Sequence, residues 1–152
     1  MSKQIINQQS TIELAIVRVK TIAFKTNEAL QIPEGHNTAN INIGTQTSVD
    51  IENNLVAINI KVTFTPLDDH SVYLIEGDFQ TIFAIKDLIK WKNPTIENEI
   101  LLPDEVNYTM LTISLSHSRA LLSFLSANGS FQHLIMPLLT KEWIEKELMK
   151  KT

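Results

Sequence analysis

The chain has 152 residues, no cysteine, four glycines and a formal charge of −4 at neutral pH. A chain this long buries roughly 70% of its unfolded surface, so one domain spanning 1–152 needs no disulfide or structural metal to hold together, and lack of cysteine removes thiolate zinc sites. No basic stripe along the sequence offsets the negative charge, no phosphate-cradling glycine motif occurs, and no apolar run approaches the ~18 residues of a membrane span; nucleic acid, nucleotide cofactors and membrane insertion are therefore not expected.

Residues 1–11 are polar, read as frayed, and contain no signal-peptide run, so a cytoplasmic location is expected. Leu14 to Lys25 is rich in β-branched residues and predicts a strand with Ile16, Ile22 and Phe24 opposite Val17, Val19 and Ala23. A strand apolar on both faces needs cover on both. Asn27 to Asn37, with Pro33 and Gly35, reads as a loop. Asn40 to Ile51 then alternates, with Ile41, Ile43, Thr45, Thr47, Val49 and Ile51 on one face and Asn42, Gly44, Gln46, Ser48 and Asp50 on the other. After a turn at Glu52-Asn53-Asn54, Val56, Ile58, Ile60, Val62 and Phe64 form the buried face of a third strand. The pattern resumes beyond Pro66, Asp68, Asp69 and Ser71. There Tyr73, Ile75, Gly77, Phe79, Thr81, Phe83 and Ile85 share one face, while Val72, Leu74, Glu76, Asp78, Gln80 and Ile82 share the other. These patterns make four antiparallel strands, in a meander or Greek key.

Lys86 to Lys90 reads as a helical turn and Trp91 to Glu99 as a loop. Pro103 followed by Asp104 and Glu105 marks a helix start, because acids there complement the helix dipole. The helix runs to about Ala127 with two apolar rows, one through Val106, Met110, Ile113, Leu121 and Phe124 and one through Leu111, Leu115, Leu122 and Leu125. Asn128-Gly129 stops it, an apolar stretch from Phe131 to Leu139 is broken by Pro137, and Thr140 caps a last helix, Lys141 to Lys151.

Groups that could do chemistry are few. Ser116-His117-Ser118 lies mid-helix, where neighbours point ~100° apart and cannot form a relay with one another. Asp68-Asp69-His70 occupies a hairpin turn that favours such residues anyway and lacks a distant fourth ligand. Glu76 and Asp78 lie ~7 Å apart on one strand face and read as a solvated pair. His36 and His133 have no evident partners. No catalytic group, metal or cofactor is expected. What stands out is apolar surface on the first strand, the long helix and the Phe131–Leu139 stretch, beyond what one small subunit covers. Burial between subunits and open surface for other chains both account for it.

Several motifs, taken in order, resemble the SecB family of export chaperones. Gly129-Ser130-Phe131-Gln132-His133-Leu134-Ile135-Met136-Pro137 is similar to that family's G-T-F-P-x-L-x-L-A-P segment, one residue shorter and with Gln132 at a proline position. Ser118-Arg119-Ala120 resembles its S-R-G. Leu74-Ile75-Glu76 and Ile82-Phe83-Ala84-Ile85 resemble its fourth strand. The resemblance covers about Ile16 to Leu148. It implies an α+β fold, a four-stranded antiparallel sheet with a long helix and a short C-terminal helix packed on one face, assembled as a dimer of dimers through the first strand and long helix. It also implies an ATP-independent holdase that performs no covalent step and binds non-native polypeptide clients in hydrophobic grooves. By analogy the groove draws on Ile41, Ile43, Phe79, Phe83, Leu125, Phe131 and Leu134. Leu74 and Glu76 match the family's contact with the SecA translocase motor. On the first strand, however, Thr21 and Lys25 stand where that contact has acids, and the chain ends Met149-Lys150-Lys151-Thr152 where the family has an acidic tail. Three roles are weighed: a chaperone in export, one dedicated to a single partner such as an antitoxin, and an oligomeric adaptor.

Overall fold

A computed structural model of the chain describes residues 12–30 and 39–149. The frayed segment expected at 1–11, the loop residues Pro33, Gly35 and His36, and the lysines expected to end the last helix lie outside the described residues. The elements are β1 (Leu14–Thr26), β2 (Asn40–Asp50), β3 (Leu55–Thr65), β4 (Ile75–Ile85), a 3-10 turn (Leu88–Trp91), α1 (Asp104–Ser126) and α2 (Lys141–Glu147). They form one antiparallel sheet in the order β1-β4-β3-β2. Of the two expected connections this is the Greek key. β2, β3 and β4 follow by hairpins, and β1 returns beside β4, so β1 and β2 are the sheet's two edges.

Alternation fixes the core face. Val56, Ile58, Ile60, Val62 and Phe64 of β3 and Ile75, Phe79, Phe83 and Ile85 of β4 are buried beneath α1. α1 covers them with Met110, Leu111, Leu115 and Leu122. Ser114, Ser118 and Ser126 lie in the same buried stripe. Each hydroxyl donates to the carbonyl four residues earlier at 2.8 Å, so these small side chains enter the interface with no donor left unmet. Opposite them, a Cβ on Gly77 would sit 2.6 Å from Phe79 Cε2 and 3.3 Å from Leu122 Cδ1. Only a residue without a side chain lets the Phe79 ring and the helix meet over that strand.

β1 departs from simple alternation. Its register with β4 slips between Ile16 and Arg18 and again between Thr21 and Ala23. Residues opposite one another in an antiparallel pair share a face, so Ile16 (opposite Phe83), Val19 (opposite Thr81), Thr21 (opposite Phe79) and Phe24 (opposite Gly77) all lie on the α1 side. The expected grouping of Val19 with Ala23 is therefore corrected. Each bulge adds one residue and exchanges the two faces for the part of the strand beyond it. The same two slips place Arg18, Lys20, Ala23 and Lys25 on the outer face, gathering a basic cluster that a linear reading of charge does not reveal.

β4 starts two residues later than the Tyr73 pattern implies. Leu74 is not an outer-face strand residue: it turns into the core at 2% exposure, its N–H donating to Phe64 O (2.7 Å) and its carbonyl accepting from Asn27 N (2.9 Å). Asn54, at φ 58°, closes the β2–β3 turn, accepting from Leu88 N through Oδ1 (2.9 Å) and from Ile85 N through its carbonyl (2.9 Å). α1 begins at Asp104 with Pro103 just outside it, and α2 is capped by Thr140 Oγ1 accepting from Trp143 N at 3.2 Å. Beyond α1, Arg119 Nε donates to Met136 O (2.8 Å) and fastens the tail to the helix.

Two outcomes are expected. Gly77→Ala forces the Phe79 ring or α1 to shift inside a packed core, lowering stability by about 1–3 kcal/mol in chemical denaturation; an unchanged midpoint would sink this account of Gly77. The second concerns Glu28, whose carboxylate accepts from Ser130 Oγ (2.6 Å) and Thr26 Oγ1 (2.8 Å), joining the end of β1 to the turn after α1. These hydrogen bonds, Ser130's first, hold its pKa below the usual 4.5. A carboxyl depressed in the folded state contributes stability above its unfolded pKa and loses it as pH falls through the lower folded value. The difference in thermal midpoint between wild type and Glu28→Gln should thus be full at neutral pH and vanish well below 4.5; a difference independent of pH would contradict it.

Candidate functional site

A helix with its side chains is about 10 Å wide and strands are spaced about 4.8 Å apart, so one helix covers about two strands of four. α1 lies chiefly over β4 and β3. The α1-side faces of both edge strands are left to other cover. On the β1 side that face stays open: Ile16 and Val19 are exposed, as is Phe124 at the C-terminal end of α1, at 77%. Leu138 in the tail reaches 81%. The apolar excess anticipated from the sequence is present on the described surface.

On the β2 side the space is a groove of about 760 Å³. Thr45 and Thr47 of β2 form one wall, Ile100 and Leu102 the opposite one, and Met110 and Met149 line it further. The segment after the 3-10 turn is rigidly placed. Asn93 Oδ1 accepts from Thr95 N and Thr95 Oγ1 (2.9 and 2.8 Å), Asn93 N donates to Glu99 O (2.8 Å), and Leu101 N donates to Trp91 O (2.7 Å). Alternation assigns Thr45 and Thr47 to the right face, but sequence reasoning misses Ile100-Leu101-Leu102 as a wall. Three apolar residues directly after a polar loop are the available signal. Glu99 and Asp104 also line the groove. A second depression, of about 590 Å³, lies between the start of α1 and α2, where Lys141 Nζ sits 5.5 Å from the Tyr108 ring centroid.

The residues inferred for a client groove divide by burial. Phe79, Phe83, Phe131 and Leu134 are enclosed in the subunit's own core. Ile41 and Ile43 are half-buried on the α1-side face of β2, continuous along the strand with Thr45 and Thr47, and Leu125 is 37% exposed near the end of α1. Alternation identifies a face, and it does not say whether that face is covered by the chain itself.

The residues matched to a motor contact are also separated. Leu74 is buried, and Glu76 Oε1 lies 3.2 Å from Lys25 Nζ while Oε2 lies 3.7 Å from Lys61 Nζ. Lys25 on β1 thus pairs directly with Glu76 on β4. Both pairs are partly exposed and contribute little stability on their own, but they leave Glu76 with no uncompensated charge.

The polar clusters satisfy themselves locally. His117 Nδ1 lies 3.2 Å from Thr81 Oγ1, whereas Ser116 and Ser118 donate to Thr112 O (2.9 Å) and Ser114 O (2.8 Å). Asp69 accepts from Ser71 Oγ (2.5 Å) and Ser71 N (2.9 Å), and these bonds hold its carboxyl below the usual range. His70 Nδ1 is 3.4 Å from Asn40 Nδ2, and His133 is half-buried. Among the described residues no cluster of three His, Asp or Glu side chains is placed to hold a metal, and no helix is long and apolar enough to cross a membrane.

No family model and no curated protein sequence matches the chain. Among solved structures, the Mycobacterium tuberculosis Rv1957 SecB-like chaperone, in complex with a ChAD peptide from the Rv1956 HigA1 antitoxin, aligns over 84% of this chain and 90% of its own at a TM-score of 0.61 and 13% identity. A protein of unknown function from Streptococcus agalactiae aligns over 86% of this chain and all of its own, with a TM-score of 0.43 and 13% identity. With its four-stranded antiparallel sheet, long α1 and short α2, the chain has a SecB-like α+β fold.

Proposed function

We propose that this protein is a chaperone of the holdase type, binding non-native polypeptide along apolar surface that its own fold leaves uncovered. The observation that carries the reading is the mismatch between one covering helix and four strands, which leaves a groove against β2 and open apolar surface on β1. The structural neighbour, a SecB-like chaperone holding an antitoxin peptide, supports polypeptide as the ligand class. In this reading clients lie along β2 and meet Ile41 and Ile43 directly, with Leu125 near the end of α1. Phe79, Phe83, Phe131 and Leu134 form the packed base that keeps the surface in shape. Ile16, Val19 and Phe124 are covered by further copies of the chain in a dimer of dimers. Apolar burial at about 25 cal/mol per Å² requires no defined client sequence, and binding of this kind needs no ATP, cofactor or bond-making step.

A role uncoupled from export is favoured over a motor-linked one. Glu76 is engaged by Lys25 and Lys61, Leu74 is buried and Thr21 offers no charge, so an electrostatic contact requiring exposed acids has little to hold. A dedicated chaperone, guarding one unstable partner such as an antitoxin, fits these features better than a general export factor.

The purified protein should suppress light scattering by an aggregating client at up to equimolar amounts, with no nucleotide added. Ile43→Asn combined with Leu125→Asn should raise the amount needed about tenfold, a loss of ~1.4 kcal/mol in binding, with a far-UV spectrum like wild type. Failure to suppress across several clients counts against the holdase reading. One folded partner recovered instead, with no binding of unfolded chains, would favour the adaptor.

A further inference from the structure

The side of the sheet turned away from α1 carries a feature that the client groove does not use. Arg18, Lys20 and Lys25 of β1 and Lys61 of β3 all project there, opposite Ile82, Gln80, Glu76 and Asp78 of β4 respectively. In a chain of net charge −4, four cations thus share one face with only these two carboxylates among the neighbouring positions of β1, β3 and β4. The charges are unevenly compensated. Lys25 and Lys61 converge on Glu76. Asp78, opposite Lys61, has Oδ1 buried and turned from solvent. Arg18 and Lys20 enter no ion pair among the described residues, and Arg18 is exposed. Positive charge is therefore in excess at one end of the face. Beside it lie small and apolar side chains: Ile82 and Ala84 of β4, Ala57 of β3 and Ala15 of β1.

We infer that this outer face is a second docking surface, and that its partner is an acidic polypeptide segment in extended form with carboxylates on alternate residues. The spacing sets the pattern. Arg18 and Lys20 are two residues apart on one strand face, about 7 Å, the distance between alternate side chains of an extended partner. One partner carboxylate meets the guanidinium fork, which can take it through two hydrogen bonds, and the next meets the Lys20 ammonium. The intervening side chains of such a partner point away from the sheet, and the next residue facing it beyond the carboxylate pair rests toward Ala15 and Ala84. Nucleic acid fits less well. Two carboxylates remain on the face, and the Tyr73 ring beside it already lies under Lys25 Nζ, 5.7 Å from its centroid, where a base would have to stack. The site is separate from the groove, on the opposite side of the sheet, so client and acidic partner can be bound at once.

The test is fluorescence anisotropy on the full chain, with three labelled probes: a peptide of alternating Glu with Ala or Leu, the same peptide with Lys for Glu, and an oligothymidine of similar length. The acidic peptide should bind saturably and weaken as salt is raised; the basic peptide should not bind. Arg18→Glu with Lys20→Glu should weaken acidic-peptide binding at least about tenfold, whereas Lys141→Glu, on α2, should leave it unchanged. The milder Arg18→Ala with Lys20→Ala, expected to give an intermediate loss with a wild-type thermal midpoint, separates lost charge from misfolding. Unfolded client added in excess should not displace the peptide. Absence of saturable binding, equal binding by the charge-reversed variant, displacement by client, or tighter binding of oligothymidine would each overturn the proposal.

Discussion

The seating of α1 on β4 and β3 is the contact on which the rest of the molecule depends. It is close because both sides are pared down where they meet: Gly77 on the strand, and Ser114, Ser118 and Ser126 on the helix with their hydroxyls turned back to its own carbonyls. Phe79 and Phe83 are sealed beneath it, each contributing roughly 1.5–3 kcal/mol by burial. A helix seated this tightly over the middle of the sheet cannot also cover both of its edges. The open side along β1 and the groove along β2 result from the width of a helix against the spacing of strands.

Much of this architecture is legible in the residues, because three of the four strands alternate without interruption and the core faces of β3 and β4 are buried. β2, β3, β4 and both helices stand where the patterns put them to within a residue or two, except that α2 stops at Glu147, short of the expected Lys151, with Leu148 and Met149 already outside the helix. β1 is only half legible. Its limits are clear, but two extra residues reverse its faces twice, and nothing in the local composition near Val17 or Ile22 announces a bulge. The register is set by pairing with β4, a tertiary effect that a one-dimensional period cannot contain. Alternation misplaces Leu74 for a related reason, as the apolar pattern of β4 extends through residues that lie outside the ladder.

The candidate site is legible in kind more than in detail. Excess apolar character on β1 and α1 signals a surface that one subunit does not close. Which side chains remain accessible is decided by packing: Phe79, Phe83, Phe131 and Leu134 are as hydrophobic as Ile41 and Leu125, yet they lie inside. The wall at Ile100 to Leu102 depends on an Asn93 turn that holds an otherwise irregular segment in place. The polar groups bond to near neighbours, Ser116 and Ser118 to carbonyls of their own helix and Asp69 to Ser71.

The paired slips of β1 have a consequence for how this chain can change over time. Val17 is the residue in excess between Ile16 and Arg18, so losing it would straighten the ladder while leaving Arg18 and Lys20 outward and Val19 inward. The length of that edge is therefore freer to vary at its two slips than within the regular ladder between them. Deletions in descendants of this sequence should gather at Val17 and Ile22, where one residue fewer leaves the neighbouring faces as they are.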